Sequence, residues 1–122
     1  MIQVMLVDDA IFMRDMLRRI IKRTSIEIID AADGKEAIEK YAIYKPDLVF
    51  MDITMPNMDG VQALKQIREI DPEAKVVMCT AMAHQTVVVE AMKYGAKDYI
   101  VKPFNAAKIE SILKQFFPDI VE

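Results

Sequence analysis

The sequence predicts an α/β fold with a parallel sheet, and three observations indicate it. Five short strand-like runs alternate with five helix-like segments, an alternation typical of βαβ units. Four of the runs lead directly into chemically reactive residues, which parallel strands would bring to one edge of a sheet. The 122 residues are enough for one core, so we expect a single domain over residues 1–122.

The first unit is a strand followed by an amphipathic helix. The apolar run from Val4 to Val7 leads into Asp8 and Asp9. From Ala10 to Arg23, apolar residues recur at helical spacing opposite a charged face that includes Arg14. This pattern predicts a surface helix with one buried stripe.

The second unit begins with a short strand from Ile26 to Asp30. Glu27 interrupts this strand, which favours a place at the edge of the sheet. Asp33 is a typical N-cap for a helix from Gly34 to Tyr44, and Pro46 prevents its continuation.

The third unit runs from an apolar strand, Leu48 to Met51, into Asp52. A turn-rich loop over residues 53–60 precedes a helix predicted from Val61 to Ile70. Asp71 and the proline after it mark the end of this helix.

In the fourth unit, Val76 to Cys79 is a strand that leads into Thr80, and a helix is predicted from Ala83 to Tyr94. The three β-branched residues Val87 to Val89 weaken this helix, and Gly95 ends it. In the fifth unit, the strand from Tyr99 to Val101 leads into Lys102, and Asn105 caps a helix with an apolar face.

Composition excludes several classes of partner. The net charge of -3 provides no basic stripe for nucleic acid or for an anionic membrane surface. No apolar run approaches the ~18 residues of a membrane span, and no basic segment precedes the first strand. We therefore expect a cytoplasmic protein that binds neither nucleic acid nor membrane. The single cysteine, Cys79, lies in an apolar run and is expected to be buried.

The residues after the strands predict phosphoryl chemistry. If Asp8, Asp9 and Asp52 lie together, their mutual repulsion would raise at least one pKa unless a divalent cation binds. Oxygen-only ligands at an open site suit Mg²⁺, and Mn²⁺ would serve similarly. A carboxylate can accept a phosphoryl group, and Asp52 is best placed to do so. Lys102 and Thr80 would supply the positive charge and the hydrogen-bond donor that such a transfer needs.

Each residue also has a simpler interpretation when it is taken alone. Asp8 or Asp9 could cap the following helix, and Asp52 could be a turn residue. Thr80 could end a strand, and Tyr99 could be a half-buried strand residue. Only the combination at one sheet edge favours a functional site.

The combined motifs resemble the receiver domains of two-component response regulators. They are Val7-Asp8-Asp9, Asp52 within Met51-Asp52-Ile53-Thr54-Met55-Pro56, Gly60, Thr80-Ala81, and Lys102-Pro103-Phe104. The resemblance covers the whole chain. It implies a flavodoxin-like (βα)5 doubly wound sheet in the order 2-1-3-4-5.

The same resemblance implies a mechanism. Asp52 would accept a phosphoryl group from a phosphohistidine on a histidine kinase. Asp8, Asp9, Asp52 and the backbone carbonyl of Thr54 would hold Mg²⁺. The bond between Lys102 and Pro103 is usually cis in the family. The protein would catalyse only its own phosphorylation and dephosphorylation, and would turn over no external metabolite.

The resemblance also implies a switch. Thr80 would move toward the phosphoryl group, and Tyr99 would rotate inward. The exposed apolar residues expected to form the docking face are Val88, Met92, Tyr99 and Val101.

Within the family, the chain is most similar to chemotaxis regulators and has no output domain. The expected output partner is a protein such as the flagellar or archaellar motor switch or its adaptor, and a phosphatase is a further expected partner. A phosphorelay intermediate and a non-phosphorylated flavodoxin-like binding module are alternatives. A metal-dependent phosphatase is disfavoured because Thr54 stands where such an enzyme would place a second acid.

Overall fold

The computed structural model describes residues 1–81 and 85–120. Five strands alternate with five helices along the chain, as the sequence predicts. In order these are β1 (Ile2–Val7), α1 (Ile11–Ile21), β2 (Ile26–Ala31), α2 (Gly34–Tyr44), β3 (Leu48–Asp52), α3 (Gly60–Ile70), β4 (Val76–Thr80), α4 (Gln85–Lys93), β5 (Asp98–Val101) and α5 (Ala106–Phe116).

The five strands form one parallel sheet in the order β2-β1-β3-β4-β5. This confirms the predicted topology and the edge position of β2. The strands β3 and β4 are buried along their whole length, as expected for parallel strands that have helices on both faces.

The core has two layers, one on each face of the sheet. On one face, α2, α3 and α4 pack against alternate strand residues such as Met5, Val49 and Met78. On the other face, α1 and α5 pack against the intervening residues, such as Leu6 and Phe50. This alternation follows from the two-residue period of a strand.

Most predicted boundaries agree with the structure to within one or two residues. The helix α2 has the predicted bounds, and the Asp33 side chain accepts a hydrogen bond from the Glu36 backbone N–H as its cap. The Asn105 side chain caps α5 in the same way. The predicted start of the fourth helix at Ala83 lies outside the described residues.

Each strand is one or two residues longer than predicted, and two of them include reactive residues at their carboxyl ends. Asp52 is the last residue of β3, where it pairs with Cys79, and Thr80 is the last residue of β4, where it pairs with Val101. Cys79 is buried, as predicted, and burial raises the pKa of its thiol. In the described part of the chain, no helix combines the length and the apolar character needed to cross a membrane.

Candidate phosphoryl-acceptor site

The carboxyl ends of four strands bring the predicted site residues together. Asp52 ends β3 and Thr80 ends β4, whereas Asp8 follows β1 and Lys102 follows β5. Backbone hydrogen bonds tie these ends to neighbouring strands. The N–H of Asp8 donates to the Ala31 carbonyl at 3.2 Å, and that of Lys102 donates to the Thr80 carbonyl at 2.8 Å. The sheet itself therefore positions the site.

Three carboxylates form a cluster at this edge. Asp8, Asp9 and Asp52 each offer an oxygen, and these oxygens all lie within 4.8 Å of one another. Asp8 and Asp52 are buried, whereas Asp9 is exposed. Oxygen-only donors with one side open to solvent are the ligand set that hard divalent cations prefer. The acidic pocket thus fits a divalent metal ion.

Neither acid of the Asp8–Asp9 pair acts as the N-cap of α1. The N-cap residue is Ala10, and the first turn of α1 has no side-chain cap and no acidic residue. Asp8 Oδ1 instead accepts a hydrogen bond from the Ala10 backbone N–H at 2.9 Å. The capping interpretation is therefore wrong for both residues, and α1 begins without the stabilisation that a cap would give.

Lys102 connects the two buried acids. Its Nζ donates to Asp8 Oδ2 at 2.9 Å and lies 3.1 Å from Asp52 Oδ1. Burial alone would lower the pKa of Lys102, but the hydrogen bond to Asp8 and the attraction of Asp52 raise it overall. Lys102 therefore stays protonated at neutral pH, as charge stabilisation requires.

The surroundings of Asp52 change the pKa of its carboxyl group. Burial, together with the negative charge of Asp8, raises the pKa of Asp52 to about 6. The ammonium of Lys102 and the Thr54 backbone N–H, 3.3 Å from Asp52 Oδ1, act in the opposite direction. No donor among residues 1–81 and 85–120 contacts Asp52 Oδ2. Within the described residues, the protein donors thus contact Oδ1 and leave Oδ2 open.

Two threonines flank Asp52. Thr80 is buried, and its hydroxyl donates to the carbonyl of Ala81 at 2.9 Å. Thr54 is exposed, and its backbone N–H faces Asp52. The hydroxyl of Thr80 thus has a backbone partner that it could exchange for another acceptor.

Gly60 holds the start of α3 against the end of β3. A Cβ atom at this position would lie 2.1 Å from the backbone oxygen of Asp52. The N–H of Gly60 donates to the carbonyl of Ile53 at 2.8 Å. Only a residue without a side chain allows this approach, so Gly60 is part of the support for Asp52.

Sequence reasoning missed one residue beside the acids. The sequence pattern predicts Arg14 on the charged, solvent-facing side of α1, but it is only partly exposed, and its Nη1 donates to the backbone carbonyl of Asp8 at 2.5 Å. The available signal was its spacing, one helical turn after Ala10. The charge of Arg14 by itself predicts only a side chain in solvent and does not indicate this contact.

The predicted docking residues are exposed with one exception. Met92, Tyr99 and Val101 are exposed large apolar side chains. Val88 is half-buried and packs against the core, whereas the neighbouring Val89 is 55% exposed. Val88 is therefore less exposed than expected, because the rotation of α4 turns it toward the sheet and presents Val89 to solvent. Its part in docking stays a prediction.

The bond between Lys102 and Pro103 is cis, in agreement with the expected geometry. The described residues thus place Asp8, Asp9, Asp52, Thr80 and Lys102 together at one edge. Tyr99 lies on β5, three residues before Lys102, with its side chain partly in solvent.

Comparisons with known proteins agree with this geometry. The family model of the response regulator receiver domain matches residues 4–114. The chain is 51% identical over 114 residues to the chemotaxis protein CheY of Thermotoga maritima, covering 93% of this chain and 95% of that protein. It is 49% identical over 108 residues to CheY of Bacillus subtilis, covering 88% and 90% of the two chains.

Solved structures show the same fold. The chain is similar to chemotaxis protein CheY4 of Vibrio cholerae, with a TM-score of 0.86 and 29% identity over 96% of this chain and 99% of that one. It is also similar to a chain from a CheX-CheY-BeF3-Mg²⁺ complex of Borrelia burgdorferi. There the TM-score is 0.88 and the identity is 39%, over 95% of this chain and 89% of that one.

Proposed function

Because the chain belongs to the response regulator receiver domain family, we propose that it is a chemotaxis response regulator that phosphorylation of Asp52 activates. One observation carries the assignment of Asp52: its carboxylate lies buried between a cationic Lys102 and two further acids, with Oδ2 free of protein donors among the described residues. The identity of about half to CheY proteins over nearly all of the chain supports the chemotaxis role. The chain is a single receiver domain over residues 1–122.

The proposed reaction is transfer of a phosphoryl group from a phosphohistidine. Asp52 Oδ2 attacks phosphorus, the new P–O bond forms as the P–N bond breaks, and the imidazole leaves with the electron pair of that bond. Water later attacks the aspartyl phosphate and releases inorganic phosphate. The protein promotes these two steps on its own side chain and acts on no external metabolite.

Three groups assist this transfer. Lys102, already within 3.1 Å of Asp52, neutralises charge that gathers on the phosphoryl oxygens. Thr80 exchanges its bond to the Ala81 carbonyl for one to a phosphoryl oxygen. Asp8, Asp9, Asp52 and the carbonyl of Thr54 would hold Mg²⁺, or Mn²⁺ in its place. When bound, the cation offsets the mutual repulsion of the acids and attracts the phosphoryl oxygens.

The output is a change at the surface formed by α4, β5 and α5. Movement of Thr80 frees space that Tyr99 fills by turning inward, which changes the exposed apolar surface beside Met92 and Val101. Val89, which is exposed, joins Val88 in this docking surface. The partners are a histidine kinase as phosphodonor, an output protein such as a motor switch or its adaptor, and a phosphatase. The Borrelia burgdorferi complex pairs a related CheY with CheX.

Beryllofluoride, which imitates an aspartyl phosphate, tests the proposal. We expect beryllofluoride with Mg²⁺ to shift amide NMR signals from Asp52 through Thr80 to Tyr99 and α4 in the wild type. Asp52→Asn should show none of these shifts while keeping its fold. Shifts that persist in Asp52→Asn would reject Asp52 as the acceptor.

Two variants separate transfer from signalling. Lys102→Ala should accept phosphate from a small-molecule donor more slowly than the wild type, because the positive charge beside Asp52 is lost. Thr80→Ala should bind beryllofluoride but transmit little of the shift to Tyr99. If the Tyr99 signals of Thr80→Ala shift as far as those of the wild type, this threonine is not the switch. If the protein is instead a binding module that is not phosphorylated, its response to beryllofluoride will not depend on Asp52.

A further inference from the structure

Arg14 makes an unusual contact with the backbone beside the acidic cluster. Its Nη1 donates to the carbonyl oxygen of Asp8 at 2.5 Å. Its Nε is buried and has no hydrogen-bond partner within the described residues. A buried guanidinium nitrogen without a partner costs free energy, so this placement of Arg14 carries a cost that a solvent-exposed arginine would not have.

The Asp8 carbonyl belongs to the peptide group that joins Asp8 to Asp9. Because a peptide group is planar and rigid, fixing its oxygen also fixes the direction in which the chain enters Asp9. The preceding peptide is fixed separately, since the N–H of Asp8 donates to the Ala31 carbonyl. Arg14 thus holds the peptide group between Asp8 and Asp9, and the bond from the Ala10 N–H to Asp8 Oδ1 holds the chain after Asp9.

Of the three acids, Asp9 depends most for its position on the hydrogen bond from Arg14 to the Asp8 carbonyl. Asp8 is held by Lys102 and by the Ala10 N–H, and Asp52 is held within β3. The carboxylate of Asp9 is exposed and has no hydrogen bond in residues 1–81 and 85–120. Its place in the cluster therefore follows from the backbone on either side of it, and Arg14 fixes the part before it.

We infer that Arg14 is a positioning residue: through the Asp8 carbonyl, it holds the Asp8–Asp9 turn in the conformation that brings the three carboxylates together for a divalent cation. This inference rests on the proposed function. Arg14 itself contacts neither the cation nor the phosphoryl group.

When Arg14 is replaced, a positioning role and a purely electrostatic role predict changes of opposite sign in the dissociation constant of the cation. A guanidinium beside an acidic cluster repels a divalent cation, so removing its charge alone would tighten cation binding. Loss of a group that orients metal ligands typically weakens binding by 10–100-fold. The sign of the change in the dissociation constant therefore decides between the two roles.

Isothermal titration of Mg²⁺ and Mn²⁺ into the full chain is the test. Arg14→Met keeps the aliphatic stem but removes the donor, and we expect its dissociation constants to rise about 10–100-fold. Arg14→Lys, which keeps a donor and the charge, should recover part of that loss. Arg18→Ala is the matched control, because Arg18 lies one turn further along α1 and pairs with Asp15 and Asp30 instead.

Amide NMR of the metal-free protein gives a second readout. The Asp9 and Ala10 signals should shift or broaden in Arg14→Met and stay in place in Arg18→Ala. If Arg14→Met does not fold, Arg14→Ala, which also lacks a donor, replaces it, and the sign of the change in the dissociation constant again decides between the two roles.

Cation binding in the Arg14 variant that is equal to or tighter than in the wild type would overturn the positioning role. Failure of the proposed function would look different. In that case the wild type itself would show no Asp52-dependent response to beryllofluoride, whatever the Arg14 variants do.

Discussion

Replacing Asp52 by asparagine should stabilise the metal-free protein at neutral pH, even though it removes the proposed acceptor. The pKa of Asp52 is raised from 3.8 to about 6, so the fold disfavours the ionised carboxylate. The interval between these values, at about 1.36 kcal/mol per pH unit, corresponds to about 3 kcal/mol. Asparagine has nearly the same shape and carries no charge to repel Asp8.

The sign of the pH dependence follows from proton binding. Between pH 3.8 and about 6 the native state holds a proton on Asp52 that the unfolded state has released, so stability falls as pH rises through this range. Above this pH range, the ionised Asp52 lowers the free energy of unfolding by the full amount of about 3 kcal/mol. At a pH of about 4.5 it lowers the free energy of unfolding by only about 1 kcal/mol. The extra stability of Asp52→Asn over the wild type should therefore be about 3 kcal/mol at neutral pH and about 1 kcal/mol at a pH of about 4.5.

Urea unfolding followed by far-UV circular dichroism, with a chelator present, measures this difference at both pH values. Asp119→Asn, which changes an exposed acid after α5, should show little change at either pH. Adding Mg²⁺ should stabilise the wild type more than Asp52→Asn, which has lost one carboxylate ligand, and should reduce the difference in stability between them. Equal stability of wild type and Asp52→Asn at neutral pH, or a gap that does not narrow in acid, would refute the reasoning.

Two further predictions concern the support of the site and the fold. Gly60→Ala should cost about 1–3 kcal/mol and perturb the amide signals around Asp52, because its Cβ would meet the Asp52 carbonyl oxygen at 2.1 Å. Gly34→Ala, which meets only a flexible side chain, should cost less in the same urea titration. Tyr41→Phe removes the bond that Tyr41 donates to Asp71 at 2.8 Å and should cost about 1.5–3 kcal/mol near neutral pH. Because this bond lowers the pKa of Asp71, the penalty should shrink as pH falls below 3.8; a penalty independent of pH would contradict this.

The fold could be predicted because local signals and periodicity agree along the chain. Asp33 and Asn105 are strong caps, and both accept the backbone hydrogen bonds expected of them. The five acidic, hydroxyl and ammonium groups of the site were predictable for a topological reason: parallel strands bring their carboxyl ends together.

The parts that escaped prediction depend on contacts without a sequence pattern. Arg14 donates to a backbone oxygen. Because every residue has a backbone oxygen, no residue type in the sequence identifies the acceptor. The rotation of α4 was ambiguous because three consecutive valines fit several apolar stripes. Packing against the sheet, which buries Val88 and leaves Val89 exposed, decides it.

The order of the strands gives the site one fixed side and one side that can open. Asp52 ends β3, which has a neighbour on both sides, whereas Lys102 follows β5, a four-residue strand with one neighbour. Local opening is easiest where the fewest backbone bonds must break. Amide hydrogen exchange should therefore be slowest in β1 and β3 and faster toward β5. Of the two edge strands, β5 is shorter than β2, so a change at the proposed acceptor Asp52 should spread most easily toward the edge of the sheet that carries Tyr99.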